Sequence, residues 1–171
     1  MRIAVLSDSH DHIPNLRRAV LRANREGAEL LIHCGDLISP FMLPYLEQFD
    51  GQVHLIYGNN AGDRHLISAH CCAPGSKIVH HGAFASFTVG DLRIAIEHYP
   101  KRARQLARSG DFDLVCCGHN HVFQTERLGN CQLLNPGELL GKDAAPAFAL
   151  FESEKLSVRR IEVGEQMLLV D

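Results

Sequence analysis

The sequence lacks tryptophan, and aromatic residues make up only 6% of its 171 positions. It has no apolar run near the roughly 20 residues that a membrane-spanning helix needs. It also lacks a strong charge of one sign, since 17 Lys and Arg against 20 Asp and Glu give a formal net charge of -3. Such a balance argues against bulk nucleic-acid binding and against a membrane partner. With 46% apolar residues, the composition predicts one globular domain over residues 1–171.

The spacing of the cysteines matches neither a zinc finger nor a disulfide framework. There are six, with adjacent pairs at 71–72 and 116–117 and no CxxC. The first ten residues, MRIAVLSDSH, lack the long apolar region and cleavage site of a signal peptide. These features together predict a reducing, cytoplasmic location.

Short apolar runs alternate with helical patterns along the first 60 residues. Strands are predicted at 3–6, 30–34 and 53–57, with a helix from Pro14 to Gly27 and a short helix within 40–49. The order strand, helix, strand, helix, strand predicts an α/β fold. Residues 60–82 carry only a weak pattern.

The second half of the chain is richer in strand patterns. A hairpin is predicted over 84–97 around Gly90-Asp91, followed by a basic helix at 101–109 and a buried strand at 113–117. Several short strands follow between 122 and 163. Their edges could allow a homo-oligomer to form.

Metal-competent side chains follow five of the predicted strands. They are Asp8, His10, Asp36, Asn59, His98, His119 and His121. Taken singly, each is more often a turn residue, a helix cap or an ordinary histidine. In open α/β sheets, however, ligands bind just beyond the carboxyl ends of the strands. The joint occurrence at five strand ends therefore predicts that these side chains converge on metal.

The donor chemistry narrows the metal and the reaction. Four imidazoles, two carboxylates and one amide oxygen suit Mn, Fe, Zn, Ni or Co better than Mg or Ca. Seven side chains are too many for one tetrahedral ion but suit two ions that share a carboxylate. Two-metal sites hydrolyse phosphate esters. Two divalent ions would also make the site locally positive, so it would attract an anionic substrate.

The motifs resemble those of a known family. Asp8-Ser9-His10, Gly35-Asp36, Gly58-Asn59, His98 and Gly118-His119-Asn120-His121 are similar, in order and spacing, to the motifs of calcineurin-like metallophosphoesterases. The opening Ser7-Asp8-Ser9-His10-Asp11 and the later Asn135-Pro136-Gly137 look most like the compact single-domain phosphodiesterase branch. The match covers about residues 1–150 and implies a four-layer αββα sandwich.

The resemblance also implies how the ligands divide between two metals. Metal one would be held by Asp8, His10, Asp36 and His121, and metal two by Asp36, Asn59, His98 and His119. Asp36 would bridge the ions together with a hydroxide that attacks phosphorus in line. The expected ions are Mn first, with Fe, Ni or Zn as alternatives.

Two positions depart from the family pattern. Asn60 stands where the family often has a histidine that protonates the leaving oxygen. We count Asp36, His12 and Asn60 as the candidate catalytic residues, with His12 the first candidate for the missing acid and Asp63 or His65 behind it. Loss of the histidine should favour substrates with a good leaving group. Tyr99 follows His98 where the family often has glycine, and it either packs or narrows the pocket.

The sequence thus predicts a metal-dependent phosphodiesterase acting on a small-molecule or nucleotide phosphodiester. A phosphomonoesterase with the same site is one alternative. The other is a non-catalytic scaffold of the same fold, as in the retromer subunit that resembles these enzymes but has lost metal-site histidines. All seven ligand positions are intact here, which argues against the scaffold.

Overall fold

The computed structural model describes residues 1–164, whose strands form two sheets. The first sheet has six strands in the order β11-β10-β1-β2-β3-β4. Its strands are β1 (Arg2–Leu6), β2 (Leu30–His33), β3 (Gln52–Leu55), β4 (Ile78–His80), β10 (Ala147–Glu152) and β11 (Ser157–Glu162). The four strands from β1 to β4 are parallel, β10 is antiparallel to β1, and β11 is antiparallel to β10.

The second sheet has five strands in the order β5-β6-β7-β9-β8. They are β5 (Phe84–Val89), β6 (Leu92–Glu97), β7 (Leu114–Cys116), β8 (Phe123–Leu128) and β9 (Cys131–Pro136). The central strands β6, β7 and β9 are parallel, and the outer strands are antiparallel. Each sheet therefore gathers the carboxyl ends of several parallel strands at one edge.

Helices cover the outer face of each sheet. On the first sheet lie α1 (Ile13–Arg25), a 3-10 helix (Pro40–Met42), α2 (Leu43–Leu46) and α3 (Arg64–Cys71), and on the second lies α4 (Pro100–Ser109). Helix α1 buries Leu16, Ala19, Val20 and Ala23 at spacings of three and four, as its sequence pattern predicts. Its polar face, with Arg17 and Arg22, points away from the core.

The core divides into three apolar layers. The largest lies between the first sheet and its helices, the second between the two sheets, and the third between the second sheet and α4. Three layers between four tiers of secondary structure confirm the predicted αββα sandwich. The two sheets share the middle layer, where Phe151, Ile32 and Ile96 are fully buried, so they form one folding unit.

The structure shows a helix and a strand in residues 60–82, where the sequence pattern is weak. Residues 60–82 contain α3 and the three-residue strand β4. Helix α3 buries only Ile67, and a strand of three residues gives no clear alternation. No helix among residues 1–164 is both long and apolar enough to cross a bilayer. Residues 165–171 of the predicted domain lie outside the described part of the chain.

Candidate metal centre

Three motif turns of the first sheet are tied to one another by main-chain hydrogen bonds. The Asp8 N–H donates to the Gly35 carbonyl (3.1 Å), and the Asp36 N–H donates to the Tyr57 carbonyl (2.9 Å). The His10 N–H donates to the Asp36 carbonyl (2.9 Å). The parallel ladder therefore continues past the ends of the strands and fixes the ligand-bearing turns relative to one another.

Glycine is required at two of these turns by close approach. A Cβ at Gly58 would collide with the Asp36 carboxylate, and one at Gly118 would collide with the Ser7 hydroxyl. Gly58 also has a positive φ of 79°. The missing side chains let the ligand-bearing turns of the two sheets come together.

Two hydrogen bonds join the second sheet to the first at the site. The His119 N–H donates to Asp8 Oδ2 (2.9 Å). The His98 ring places Nδ1 2.8 Å from the Cys34 carbonyl, which can only accept, so Nδ1 carries a proton. This bond orients the ring and directs His98 Nε2 into the site, as a carbonyl on the other ring nitrogen does for histidines that bind metal.

The donors predicted for metal one lie together. Single ligand atoms of Asp8, His10 and His121 all fall within 4.8 Å of one another. Asp8 Oδ1 and His10 Nε2 are buried and have no hydrogen-bond partner, and His121 Nε2 lies 3.5 Å from Asp8 Oδ1. Buried polar atoms normally find a partner, so unpaired donors of this kind fit a cation.

The donors predicted for metal two are equally close. Asn59 Oδ1 lies 2.8 Å from His98 Nε2 and 2.7 Å from His119 Nδ1. His98 Nε2 is 3.5 Å from Asp36 Oδ1. These atoms are one amide oxygen, two imidazole nitrogens and one carboxylate oxygen, a donor set that fits a transition-metal ion.

Asp36 lies between the two donor groups. Its Oδ1 faces His98, while its Oδ2 lies 3.9 Å from His10 Nε2. Asn60 donates to both oxygens, from its main-chain N–H to Oδ1 (2.7 Å) and from its side-chain amide to Oδ2 (2.6 Å). Burial alone would raise the pKa of Asp36, but the hydrogen bonds from His98 and Asn60 outweigh it and hold the pKa well below its ordinary value.

The pKa of Asp8 is shifted in the opposite direction from that of Asp36. It is fully buried, and burial raises the pKa of its carboxyl despite the partial offset from Ser7, His98 and the His119 N–H. An ionised carboxylate is costly to bury unless a cation or several donors stabilise it. A divalent ion beside Oδ1 would supply that stabilisation.

The seven predicted ligands differ in solvent exposure, from a buried floor to an exposed rim. Asp8, Asp36 and His98 are buried and form the floor of the site. His10 and His121 are half-buried, and Asn59 and His119 are exposed at its rim. An anionic substrate could therefore approach from the Asn59 and His119 side without any movement of the floor.

The candidates for a general acid lie apart from this cluster. His12 caps helix α1, and its Nδ1 accepts from the Asn15 N–H (3.2 Å). Asp63 caps α3 by accepting from the Leu66 N–H, and His65 is exposed. Within residues 1–164, none of these three side chains is hydrogen-bonded to a predicted metal ligand.

Tyr99 belongs to the rim. It is 38% exposed, and its ring packs edge-on against His119 at a centroid distance of 4.8 Å. It also packs against His98 at 5.3 Å. Tyr99 was predicted either to pack against neighbouring residues or to narrow the pocket. It does both, since its ring packs on two of the predicted ligands and borders the open side of the site.

Sequence reasoning missed two buried groups beside the ligands. Glu138 lies 3.0 Å from His121 Nδ1, and His33 joins two motif turns. Glu138 follows Asn135-Pro136-Gly137 at the end of β9, which is parallel to β7, so the rule that ligands gather at strand ends could have found it. His33 lies inside an apolar run, and no pattern in the sequence distinguishes it from a core residue.

Two sheets flanked by helices, with nitrogen and oxygen donors gathered at the ends of five strands, define a metallophosphoesterase. The chain belongs to the calcineurin-like phosphoesterase superfamily, whose domain model matches residues 1–156.

Among curated relatives, the chain is 32% identical over 164 residues to phosphodiesterase MJ0936 of Methanocaldococcus jannaschii, covering 94% of this chain and 98% of that protein. A solved structure described as a novel archaeal phosphodiesterase superposes with a TM-score of 0.87 at 32% identity, covering 95% of this chain and 99% of that one. Zinc-bound Vps29 of Entamoeba histolytica shares the fold, with a TM-score of 0.63 at 17% identity over 96% of this chain and 100% of that one.

His33 connects two of the ligand-bearing turns through its ring nitrogens, and its burial should make the stability of the protein depend on pH. It is fully buried, its Nδ1 accepts from the Gly35 N–H (3.3 Å), and its Nε2 lies 3.0 Å from Ser9 Oγ, to which it donates. Burial lowers the pKa of His33 to about 3, far below its ordinary value of 6.5. Between these values the unfolded chain binds a proton that the folded chain does not, so stability falls as pH falls.

We therefore expect the metal-free protein to lose stability between pH 7 and pH 5, and His33→Gln to remove about 2 kcal/mol of that loss. Urea unfolding at the two pH values measures it. His65→Gln, which changes an exposed histidine, should keep the full pH dependence. An unchanged dependence in His33→Gln would contradict a neutral, buried His33.

Proposed function

We propose that this chain is a metal-dependent phosphodiesterase whose site holds two divalent transition-metal ions, Mn being the first choice. The observation that carries the proposal is the cluster of nitrogen and oxygen atoms at one edge of the sandwich, two of which are buried without a hydrogen-bond partner. Asp8 Oδ1 and His10 Nε2 are buried without partners, and Asn59, His98 and His119 place three more donor atoms within 2.8 Å steps of one another. Family membership and the phosphodiesterase name of a 32% identical relative support the same function.

Asp36 supports the dinuclear arrangement. Its two oxygens face different donor groups, Oδ1 toward His98 and Oδ2 toward His10. Asn60 fixes the plane of the carboxylate through two hydrogen bonds, one to each oxygen. We assign Asp8, His10, Asp36 and His121 to metal one, and Asp36, Asn59, His98 and His119 to metal two.

When bound, the two cations would supply a water of lowered pKa and offset the negative charge on the phosphoryl oxygens. The protein's own residues keep Asp8 and Asp36 in a buried floor and leave the rim open to substrate. Asn60 positions the bridging carboxylate and has no proton to give. The leaving oxygen therefore takes its proton from another side chain or leaves as a stable anion.

We assign the general acid to His12. His12 Nδ1 accepts from the Asn15 N–H. Because a neutral imidazole is far too weak an acid to protonate a leaving oxygen, His12 would act as the imidazolium, with Nδ1 also protonated and this hydrogen bond broken. His12 lines a cavity of about 450 Å³ together with Asn15, Arg18 and Leu140. Leu140 also donates its N–H to the Asp8 carbonyl (3.0 Å), so the cavity borders the first motif turn.

The proposal of a phosphodiester substrate rests on the residue at position 60 and on the aromatic ring at the rim of the site. The absence of a histidine at position 60 favours esters whose leaving group departs without strong acid help, and Tyr99 at the rim offers an aromatic surface to a nucleotide or aryl group. The phosphomonoesterase remains the second candidate because the donor set would serve either ester. The non-catalytic scaffold is the third, since Vps29 has this fold.

We also propose a cytoplasmic location and a homo-oligomeric state for the protein. All six cysteines are free thiols, which supports a cytoplasmic location. Strands β8 and β11 lie at outer edges of their sheets and support a homo-oligomer built by edge contact. We expect no bulk nucleic-acid partner at a net charge of -3.

The first test is hydrolysis of bis(p-nitrophenyl) phosphate by metal-stripped protein before and after Mn²⁺ is added back. We expect turnover that falls at least about tenfold on stripping and returns with Mn²⁺, because the nucleophile and charge stabilisation come from the ions. p-Nitrophenyl phosphate, assayed in parallel, measures the monoesterase alternative. Metal binding without turnover of either ester would overturn the enzyme assignment and favour the scaffold.

Asp36→Asn tests the shared carboxylate. We expect it to lower the occupancy of both metals, because one amide oxygen cannot serve two cations as a carboxylate does. Metal content after dialysis, measured by inductively coupled plasma mass spectrometry, reports both sites. The matched variant His10→Gln should reduce the occupancy of one ion only. Full occupancy of both ions in Asp36→Asn would remove Asp36 as the bridge.

His12→Ala tests the acid. We expect hydrolysis of diphenyl phosphate to slow by about 100-fold or more, while bis(p-nitrophenyl) phosphate changes only a few-fold, because nitrophenolate leaves without a proton. His65→Ala is the control and should not separate the two esters. Equal slowing of both esters by His12→Ala would leave His12 only its role as the helix cap.

A further inference from the structure

Glu138 is a fully buried carboxylate that the proposed function does not use. It follows the turn after β9 and has a side chain with no solvent exposure. A buried carboxylate is costly unless it has a task that repays its desolvation. Its surroundings identify that task.

The main chain around Glu138 is attached to the first ligand-bearing turn. The Leu139 N–H donates to the Ser7 carbonyl (3.1 Å), and the Leu140 N–H donates to the Asp8 carbonyl (3.0 Å). Asn15 adds a hydrogen bond from its side-chain amide to the Leu139 carbonyl (2.7 Å). Glu138 is therefore held in a fixed place relative to Asp8.

The carboxylate itself is oriented by the following loop. Glu138 Oε1 accepts from the Asp143 N–H (2.5 Å) and the Ala144 N–H (2.9 Å). Two donors at Oε1 fix the plane of the group and direct Oε2 elsewhere. Oε2 lies 3.0 Å from His121 Nδ1, although this close contact does not have the geometry of a hydrogen bond, and neither buried atom has a hydrogen-bond partner within residues 1–164.

His121 has a different neighbour on each side of its ring. Nδ1 faces Glu138, and Nε2 lies 3.5 Å from Asp8 Oδ1, within the donors of metal one. A neutral imidazole carries one proton, and the nearer of the two carboxylates, Glu138 at 3.0 Å from Nδ1 against Asp8 at 3.5 Å from Nε2, favours the proton on Nδ1 and leaves the Nε2 lone pair free. A ring in the opposite tautomer would present N–H to the metal and could not bind it.

We propose that Glu138 is a positioning residue that keeps His121 in the tautomer protonated at Nδ1 and so makes Nε2 a ligand of metal one. This inference rests on the proposed metal centre, and it adds a residue that the family motifs do not contain. Asp143 is the competing carboxylate, with Oδ2 3.4 Å from His121 Nδ1. Its side chain is 57% exposed, so water weakens its hold on the ring.

Glu138→Gln inverts the proposed interaction with almost no change in size. The N–H groups of Asp143 and Ala144 require an acceptor, so the glutamine oxygen will take the Oε1 position and its NH₂ group will face His121 Nδ1. An NH₂ donor at Nδ1 moves the ring proton to Nε2. Changing an outer-shell partner of this kind costs about 10- to 100-fold in metal affinity.

The first measurement is the tautomer of His121 in the metal-free protein by ¹⁵N NMR, assigned with a His121→Asn variant. We expect the Nδ1–H form in the wild type and the Nε2–H form in Glu138→Gln. Asp143→Asn, which removes the same charge near the same nitrogen, should keep the Nδ1–H form. An Nε2–H ring in the wild type would overturn the inference even where the Glu138→Gln chain does not fold.

The second measurement is titration of the metal-free protein with Mn²⁺ alone, followed by calorimetry. We expect one of two ions to bind 10- to 100-fold more weakly in Glu138→Gln and both to bind normally in Asp143→Asn. Equal weakening in both variants would show a general loss of charge and reject the positioning role. A wild-type chain that binds no Mn²⁺ would defeat the proposed function, whereas normal binding with an unchanged tautomer in Glu138→Gln would defeat only this inference.

Discussion

The structure of this protein depends on left-handed backbone at its ligand positions. Asp8, His10, Asp36, His119 and His121 all have positive φ, between 38° and 73°. Such conformations are uncommon for residues with a side chain, and each costs on the order of 1 kcal/mol. Only two other non-glycine residues of the described chain, Ile38 and Leu156, share them. The fold therefore concentrates its backbone strain where the chain leaves a strand and must turn a side chain back into the cleft.

That strain is offset by the interlocked turns. Main-chain bonds from Asp8, His10 and Asp36 extend the parallel ladder beyond the strands, and the His98–Cys34 bond joins the two sheets. These bonds join protein groups to one another, so they fix the positions of the predicted donor atoms. Preorganisation of this kind separates a binding site from a chance cluster of polar groups. The middle apolar layer supplies the rigidity, because both sheets pack on it at the same edge.

Most of this arrangement was predictable because two strong regularities coincide. Apolar runs identified β1, β2, β3, β6 and β7, and the rule for parallel strand ends then gathered the seven donors. Helix α3 was not predictable, because only Ile67 of its eight residues is buried and no apolar stripe results. Glu138 follows a parallel strand, as the predicted ligands do, but its burial could not be predicted. Its burial depends on contacts between Leu139 or Leu140 and a turn more than 100 residues away, which no local pattern records.

The fold alone does not decide the chemistry, because one fold can carry different sites. The decision lies with side chains such as Asn60, which replaces the histidine often found in the family. Its main-chain N–H and its side-chain amide both donate to Asp36, at 2.7 Å and 2.6 Å, so Asn60 stabilises the carboxylate that we propose as the bridge. Asn60 thus orients Asp36, and an asparagine side chain has no acidic proton to offer a leaving group. A proton for the leaving group must then come from outside the seven predicted ligands, and His12, the proposed acid, can supply one only as the imidazolium, with loss of the hydrogen bond that its Nδ1 accepts from the Asn15 N–H.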